Sequence, residues 1–75
     1  MPARMKYDAI VETLGYALGH EQMVRITTTA GTEVLGYPNS VDTHVTAHEV
    51  YLTPPGDDDI EIAVNLEEIE LVELM

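Results

Sequence analysis

The sequence predicts a mainly β domain in which an N-terminal α-helix precedes a small, strongly bent, five-stranded antiparallel barrel. Three observations predict this fold. Apolar residues recur at helical spacing over residues 7–19, five short segments of strand-like composition follow, and the second of these contains a glycine, Gly36. We expect a single domain over residues 1–75, with a tail (residues 1–6), the helix (residues 7–19) and the barrel (residues 22–75).

The helix is predicted from one apolar face. Asp8 and Glu12 lie towards its N-terminus, where the helix dipole favours anions, and Gly19 is the expected C-cap. The residues that share the apolar face are Tyr7, Ile10, Val11, Leu14, Ala17 and Leu18.

A hairpin is predicted next. Residues 22–30 alternate between the two faces of a strand, Gly31 lies in a tight turn, and residues 32–37 form the returning strand. Gly36 predicts a sharp bend in that strand. Because proline has no N–H to donate, the strand is either interrupted or at an edge of the sheet at Pro38. We therefore expect a turn at Asn39 and Ser40.

The remaining strands follow from alternation and turn residues. Residues 41–53 are predicted to be extended, with a bulge or bend where the apolar residues change face. Residues 54–59, PPGDDD, form a turn, and residues 60–65 a fourth strand. Asn65 and Glu68 also fit a capping box that would open a helix. We prefer one helical turn at residues 66–68 and a fifth strand at residues 69–74, because the apolar stripe over these residues is thin.

Composition limits the chemistry of the chain. Fourteen acidic residues face three basic ones (Arg4, Lys6 and Arg25), which gives a formal net charge of −11. Such a surface repels phosphate and favours solubility, basic partners or high-salt surroundings. The absence of cysteine excludes disulfides and thiolate metal sites. No apolar run approaches the roughly 20 residues of a membrane span, and no signal peptide precedes the helix, so we expect a cytoplasmic protein with no membrane partner.

Two motifs carry a family resemblance. Gly31 and Gly36 are followed by Asp42, an aliphatic residue (Val45) and a small polar residue (Thr46). This spacing resembles the first motif of the Sm/LSm family, which includes the Hfq-like RNA-binding rings. The second motif of the Sm/LSm family is matched by VNLEEI at residues 64–69 and by Val72, with Asn65-Leu66 in place of the family's Arg-Gly. The chain resembles a divergent member of that family over about residues 23–74.

The resemblance implies a site and an assembly. Carried onto this chain, an RNA base would be held by His44, Thr46 and Asn65, with Asp42 organising the loop and Gly31 and Gly36 as structural turn and bend residues. His44 would stack on the base, whereas Thr46 and Asn65 would hydrogen-bond to its edge. Family members pair their edge strands into rings of five to eight subunits. We therefore expect a homo-oligomeric RNA-binding or RNA-chaperone-like ring for single-stranded U- or A-rich RNA.

Two other functions are compatible with the same pattern. The acidic surface favours a protein-interaction module that binds a basic partner without binding RNA, as in the small Sm-like antitermination protein Rof. A purely structural oligomer is the third possibility. The tyrosines Tyr16, Tyr37 and Tyr51 suit interface contacts in any of these, since the chain has no phenylalanine or tryptophan.

Catalysis, metals and cofactors are not expected. His44 and His48 lie four residues apart, which in a strand is about 13 Å and too far for one ion without help from another subunit. The run Asp57–Asp59 lacks the spacing of an EF-hand loop. The glutamates of residues 67–73 have no nucleophile beside them, and the chain's single serine, Ser40, belongs to no catalytic motif.

Overall fold

The computed structural model describes residues 4–75. An N-terminal helix is followed by a five-stranded antiparallel sheet with the strand order β4-β3-β2-β1-β5, which confirms the predicted fold class. A 3₁₀ turn at Leu66–Glu68 separates the last two strands, as predicted. The elements are α1 (Tyr7–Gly19), β1 (Val24–Thr28), β2 (Glu33–Asp42), β3 (Glu49–Thr53), β4 (Ile62–Asn65) and β5 (Ile69–Leu74).

Helix α1 buries one face against the sheet. Ile10, Leu14 and Ala17 are almost fully buried at the helical spacing that the sequence predicted. Gly19, the predicted C-cap, is instead the last residue of the helix. His20 is the C-cap, and the left-handed residue is Glu21, with a φ of 52°.

Strand β2 changes its partner at Gly36. Its first half pairs with β1, where Val24 faces Gly36, and its second half pairs with β3, where Tyr37 faces Thr53. A Cβ atom at Gly36 would stand 2.9 Å from the backbone oxygen of Thr53 and 3.1 Å from the Leu52 Cβ. Only glycine lets the two backbones approach so closely at the bend.

The turn predicted at Asn39 and Ser40 is wrong, because both residues lie within β2. The register with β3 shifts between Pro38 and Ser40. This bulge lets β2 continue past Pro38, which has no N–H to donate to β3. The single strand predicted over residues 41–53 is also wrong, because a loop interrupts it. It consists of the end of β2, a loop at residues 43–48, and β3. The change of apolar face in the sequence marks this loop rather than a bulge.

The hydrophobic core lies between α1 and the bent sheet. Every strand contributes to it, and so does Leu66 from the 3₁₀ turn, which is 1% exposed. No polar or charged residue is buried in the part of the chain that the structure describes. The fold therefore depends on aliphatic packing, with the charges left on the surface.

Residues before the helix lie along β5. Met5, in the segment predicted as a tail, donates its N–H to the Glu70 carbonyl (3.0 Å), and its sulfur accepts the Val72 N–H (3.2 Å). On the opposite side of β5, where it pairs with β1, the Met75 N–H donates to the Met23 carbonyl (3.0 Å). Met5 therefore covers part of the outer edge of β5.

Candidate nucleic-acid interface

The sheet register brings the two sequence motifs to the same end of the domain. Asp42 at the end of β2 faces Glu49 on β3, and Glu49 faces Asn65 on β4. Neighbouring strands lie about 4.8 Å apart, which puts the Asp42 and Asn65 backbones about 10 Å apart across this row. The loop after β2 (residues 43–48, the 43–48 loop) and the turn after β4 (residues 65–68, the 65–68 turn) leave the sheet side by side.

Asp42 holds the start of the 43–48 loop. Its Oδ1 accepts the His44 backbone N–H at 3.0 Å and lies 3.0 Å from the His44 Nδ1. The backbone hydrogen bond is the main cause that lowers the pKa of Asp42, and the side-chain bond to His44 adds to it. The His44 side chain is 85% exposed, so its ring is oriented by Asp42 and open to solvent.

Asn65 organises the 65–68 turn in the same way. Its Oδ1 accepts the Glu67 backbone N–H at 2.8 Å, a hydrogen bond to the residue two positions on, as at Asp42. Its Nδ2 group makes no hydrogen bond to residues 4–75, and Asn65 is an exposed residue. The amide therefore retains two N–H donors for a ligand.

One backbone hydrogen bond joins the two segments. The Leu66 N–H donates to the His48 carbonyl at 3.0 Å. Since Leu66 is buried in the core, this bond fixes the end of the 43–48 loop to the body of the domain. Arg4 adds a contact from outside the sheet, because its guanidinium donates to the Glu67 carbonyl at 2.7 Å.

His48 has a structural position that the sequence did not predict. It adopts a left-handed conformation (φ of 40°), and its ring stacks on Tyr7 with the centroids 5.1 Å apart. Its Nδ1 is buried without a hydrogen-bond partner in residues 4–75, whereas Nε2 lies 4.0 Å from the Glu67 carboxylate. Histidine is enriched at left-handed positions, so a histidine before a strand was the one available signal.

A cleft of about 180 Å³ lies between the two segments. Thr46 and Asn65, two of the predicted site residues, line it together. Asp42, at the end of β2, and His44, in the 43–48 loop, do not line it. Val45, next to Thr46, is 96% exposed. The remaining lining residues are Val45, Ala47, His48 and Glu67.

The surroundings of the cleft are negatively charged. Glu67 lines it and Glu49 stands between Asp42 and Asn65 in the cross-strand row. The Tyr51 hydroxyl donates to the Glu49 carboxylate, and the charge of Glu49 is the main cause that raises the pKa of Tyr51. Asp42 and Glu61 raise it further. A phosphate group would meet this potential on approach.

The other predicted candidates stay apart. His44 and His48 lie in a loop and not in a strand; one ring faces solvent with Asp42, and the other packs on Tyr7. Within residues 4–75, no three histidine, cysteine or carboxylate side chains are placed to share a metal ion. The same residues contain no helix long and apolar enough to cross a membrane.

No protein-family model, curated protein or solved structure matches this chain.

Proposed function

We propose that this protein is an Sm-like module that binds single-stranded RNA through its bases, in the cleft between the 43–48 loop and the 65–68 turn. One observation carries the proposal. The cross-strand row and the Leu66–His48 hydrogen bond bring Thr46 and Asn65, from separate motifs, into one cleft, and the exposed His44 ring lies on the same loop as Thr46.

The side chains suit the edge and the face of a base. Asn65 offers N–H donors to a carbonyl oxygen of uracil or a ring nitrogen of adenine, and the Thr46 hydroxyl both donates and accepts. The His44 imidazole, held at its Nδ1 by Asp42, presents a planar surface for stacking. A cleft of about 180 Å³ has room for one base. These features support U- or A-rich single strands as the ligand.

The charge distribution sets the salt dependence of binding. RNA-binding proteins that neutralise phosphates lose affinity as salt rises. Here both partners are negative, and Glu49 and Glu67 stand beside the cleft. The binding energy must come from the bases, and salt screens the repulsion over a length of about 10 Å at 0.1 M. Affinity should therefore increase from low salt to about 0.5 M.

The assembly we propose is a homo-oligomeric ring of five to eight subunits, formed by pairing β4 of one subunit with β5 of the next. In support, β4 and β5 are the two end strands of the sheet and have different outer edges, as a head-to-tail contact requires. Met5 must leave the edge of β5 for this pairing to form. Repeated base clefts around such a ring would suit an RNA-chaperone-like role, and a cytoplasmic location fits an RNA ligand.

The test is fluorescence anisotropy of labelled U-rich and A-rich oligoribonucleotides across a salt series. We expect the affinity for these oligonucleotides to increase with salt. Asn65→Ala and His44→Ala should each lower the affinity roughly tenfold, because each variant loses one stacked or hydrogen-bonded contact to a base. His20→Ala is the matched control, because His20 is an exposed histidine at the opposite end of α1 from Tyr7 and His48.

Two results would contradict the proposal. One is no binding of either oligonucleotide at any salt concentration. The other is an equal loss in His20→Ala and His44→Ala, which would mean that binding does not depend on the cleft. Light scattering during size exclusion checks the ring separately: a monomer of 8.3 kDa at micromolar concentration excludes it and leaves base binding to be judged on the anisotropy alone.

A further inference from the structure

A groove of about 570 Å³ lies at one end of the β2–β3 ladder. The cleft proposed above to bind RNA, between the 43–48 loop and the 65–68 turn (the RNA cleft), lies at the other end. The groove is bounded by the end of α1, by the pair Tyr37 and Thr53, and by the turn that carries Asp58. The register shift at Pro38 leaves Asn39 free to donate from its side chain to the Thr53 hydroxyl. Both residues of this hydrogen bond line the groove.

The walls combine exposed apolar surface with negative charge. Leu18 is 36% and Tyr37 41% exposed, and both line the groove. Glu21 and Asp58 contribute two exposed carboxylates, and no lysine, arginine or histidine is among the lining residues. An aromatic ring beside two carboxylates is the combination that attracts a cation, by cation–π and charge-assisted contacts together.

The end of α1 adds to the negative potential. A helix C-terminus carries a partial negative charge from its free carbonyl groups, and the last turn of α1 contains no basic residue. Glu21 follows it in a left-handed conformation, which is uncommon for a residue with a side chain. The turn is held by the hydrogen bond from the Gln22 N–H to the Ala17 carbonyl.

The lysine and arginine residues of the chain are either paired with other groups or far from the groove. Arg25 contacts Glu73 at 2.9 Å and Glu33 at 3.7 Å, and Arg4 donates to the Glu67 carbonyl. Lys6 precedes α1, about 20 Å along the helix from the groove. The groove thus presents uncompensated negative charge to solvent.

We propose that this groove binds an arginine side chain of a basic polypeptide partner. The planar guanidinium stacks on the Tyr37 ring while its N–H groups reach the carboxylates of Glu21 and Asp58, and the aliphatic stem lies on Leu18. Arginine suits the groove better than lysine because its charge is planar and more weakly hydrated. This site is separate from the RNA cleft, so its failure and that of the RNA proposal are distinguishable.

The test is a titration of the ¹⁵N-labelled protein with a short peptide of alternating arginine and glycine, followed by amide chemical shifts. We expect saturable shifts at Leu18, Tyr37 and Asn39, and no comparable shifts in the 43–48 loop. The same peptide with lysine should bind severalfold more weakly, and the peptide with citrulline, which keeps the shape without the charge, should not bind measurably.

Substitutions then separate the groove from the general acidity of the surface. Glu21→Gln with Asp58→Asn should weaken binding roughly fivefold to tenfold, as two exposed ion pairs imply. Glu12→Gln with Glu68→Gln is the matched control, because it removes the same charge from exposed positions outside the groove and should change affinity less than twofold. Tyr37→Leu keeps an apolar strand residue, removes the aromatic ring and should weaken binding severalfold.

Three results would overturn the proposal. Equal weakening in the two double variants would assign binding to net charge alone. Equal affinity of the citrulline peptide would exclude guanidinium recognition. Spermidine that produces the same shifts at similar or higher affinity would make this a polyamine site and not a docking site for a polypeptide.

Discussion

The ring of Tyr7 lies parallel to the imidazole of His48, with the planes 5° apart and the centroids 5.1 Å apart. Tyr7 is the first residue of α1, and His48 ends the 43–48 loop. This stack ties the start of the helix to the proposed RNA cleft, which His48 lines. The helix therefore helps to set the position of a loop far from it in the sequence.

Tyr7→Ala should loosen the 43–48 loop. We expect a loss of about 1 kcal/mol in the free energy of unfolding, measured by urea denaturation, and a severalfold loss of RNA affinity. Tyr16→Ala is the matched control, since Tyr16 also stacks on a histidine of the chain, His20, at 4.2 Å. It should lower stability to a similar extent and leave RNA affinity unchanged; equal effects on RNA affinity would contradict a specific role for the Tyr7–His48 stack.

Gly36→Ala should destabilise the fold. The new Cβ would stand 2.9 Å from a backbone oxygen, so β2 or β3 must shift at the bend, at a cost of about 1–3 kcal/mol in the free energy of unfolding. Gly15→Ala is the control, because a Cβ there meets nothing within 4 Å and alanine favours the helix by up to about 1 kcal/mol. Opposite signs for the two variants in urea denaturation are expected; two equal changes would rule out the close approach as the cause.

The contribution of Asp42 to stability should depend on pH. The pKa of Asp42 in the folded protein lies below its ordinary value of 3.8, mainly because the His44 backbone N–H donates to the carboxylate. The contribution is therefore complete above a pH of about 3.8 and is lost as the pH falls through the lower folded-state pKa. Urea denaturation of the wild type and Asp42→Asn across this range measures it.

Asp42→Asn keeps an oxygen that can accept the His44 N–H and removes only the charge. The stability difference between wild type and variant should shrink towards zero in acid, whereas Asp42→Ala should stay less stable at every pH because the acceptor is gone. A difference between wild type and Asp42→Asn that does not change with pH would contradict this assignment.

Met5→Pro should promote assembly. Proline removes both the N–H that bonds Glu70 and the sulfur that accepts from Val72, which uncovers the edge of β5. We expect ring formation at a lower protein concentration, measured by light scattering over a dilution series. Arg4→Ala, which removes the neighbouring contact to Glu67 and leaves Met5 in place, should not change that concentration. No shift for Met5→Pro would mean that Met5 does not compete with subunit pairing.

The fold class could be predicted because it depends on local patterns. The spacing of Ile10, Leu14 and Ala17 marks the helix, and the alternation of Val24 and Ile26 marks β1, before any tertiary contact is known. The 3₁₀ turn and β5 were also predicted with their observed bounds. The turn at Asn39 was mispredicted because its turn-forming residues were outweighed by pairing with β3, which a bulge makes possible despite Pro38.

The candidate site was predictable only in part. The motif spacing singled out Thr46 and Asn65, and the sheet register does bring them to one cleft. The position of His48 depends on its left-handed backbone and on Tyr7, which lies in the helix, and no local pattern encodes that contact. The groove proposed to bind an arginine side chain combines residues of α1, β2, β3 and the turn after β3, so it exists only once the sheet has formed.

The β2–β3 ladder separates the two proposed sites by a fixed distance. Tyr37 faces Thr53 at one end and Asp42 faces Glu49 at the other, and five residues of strand span about 17 Å. A cation in the groove would reduce the repulsion that RNA meets at the cleft, so each ligand should favour the other by the same factor. Because the screening length at physiological salt is about 8 Å, this thermodynamic coupling should be measurable in dilute buffer and fade as salt rises.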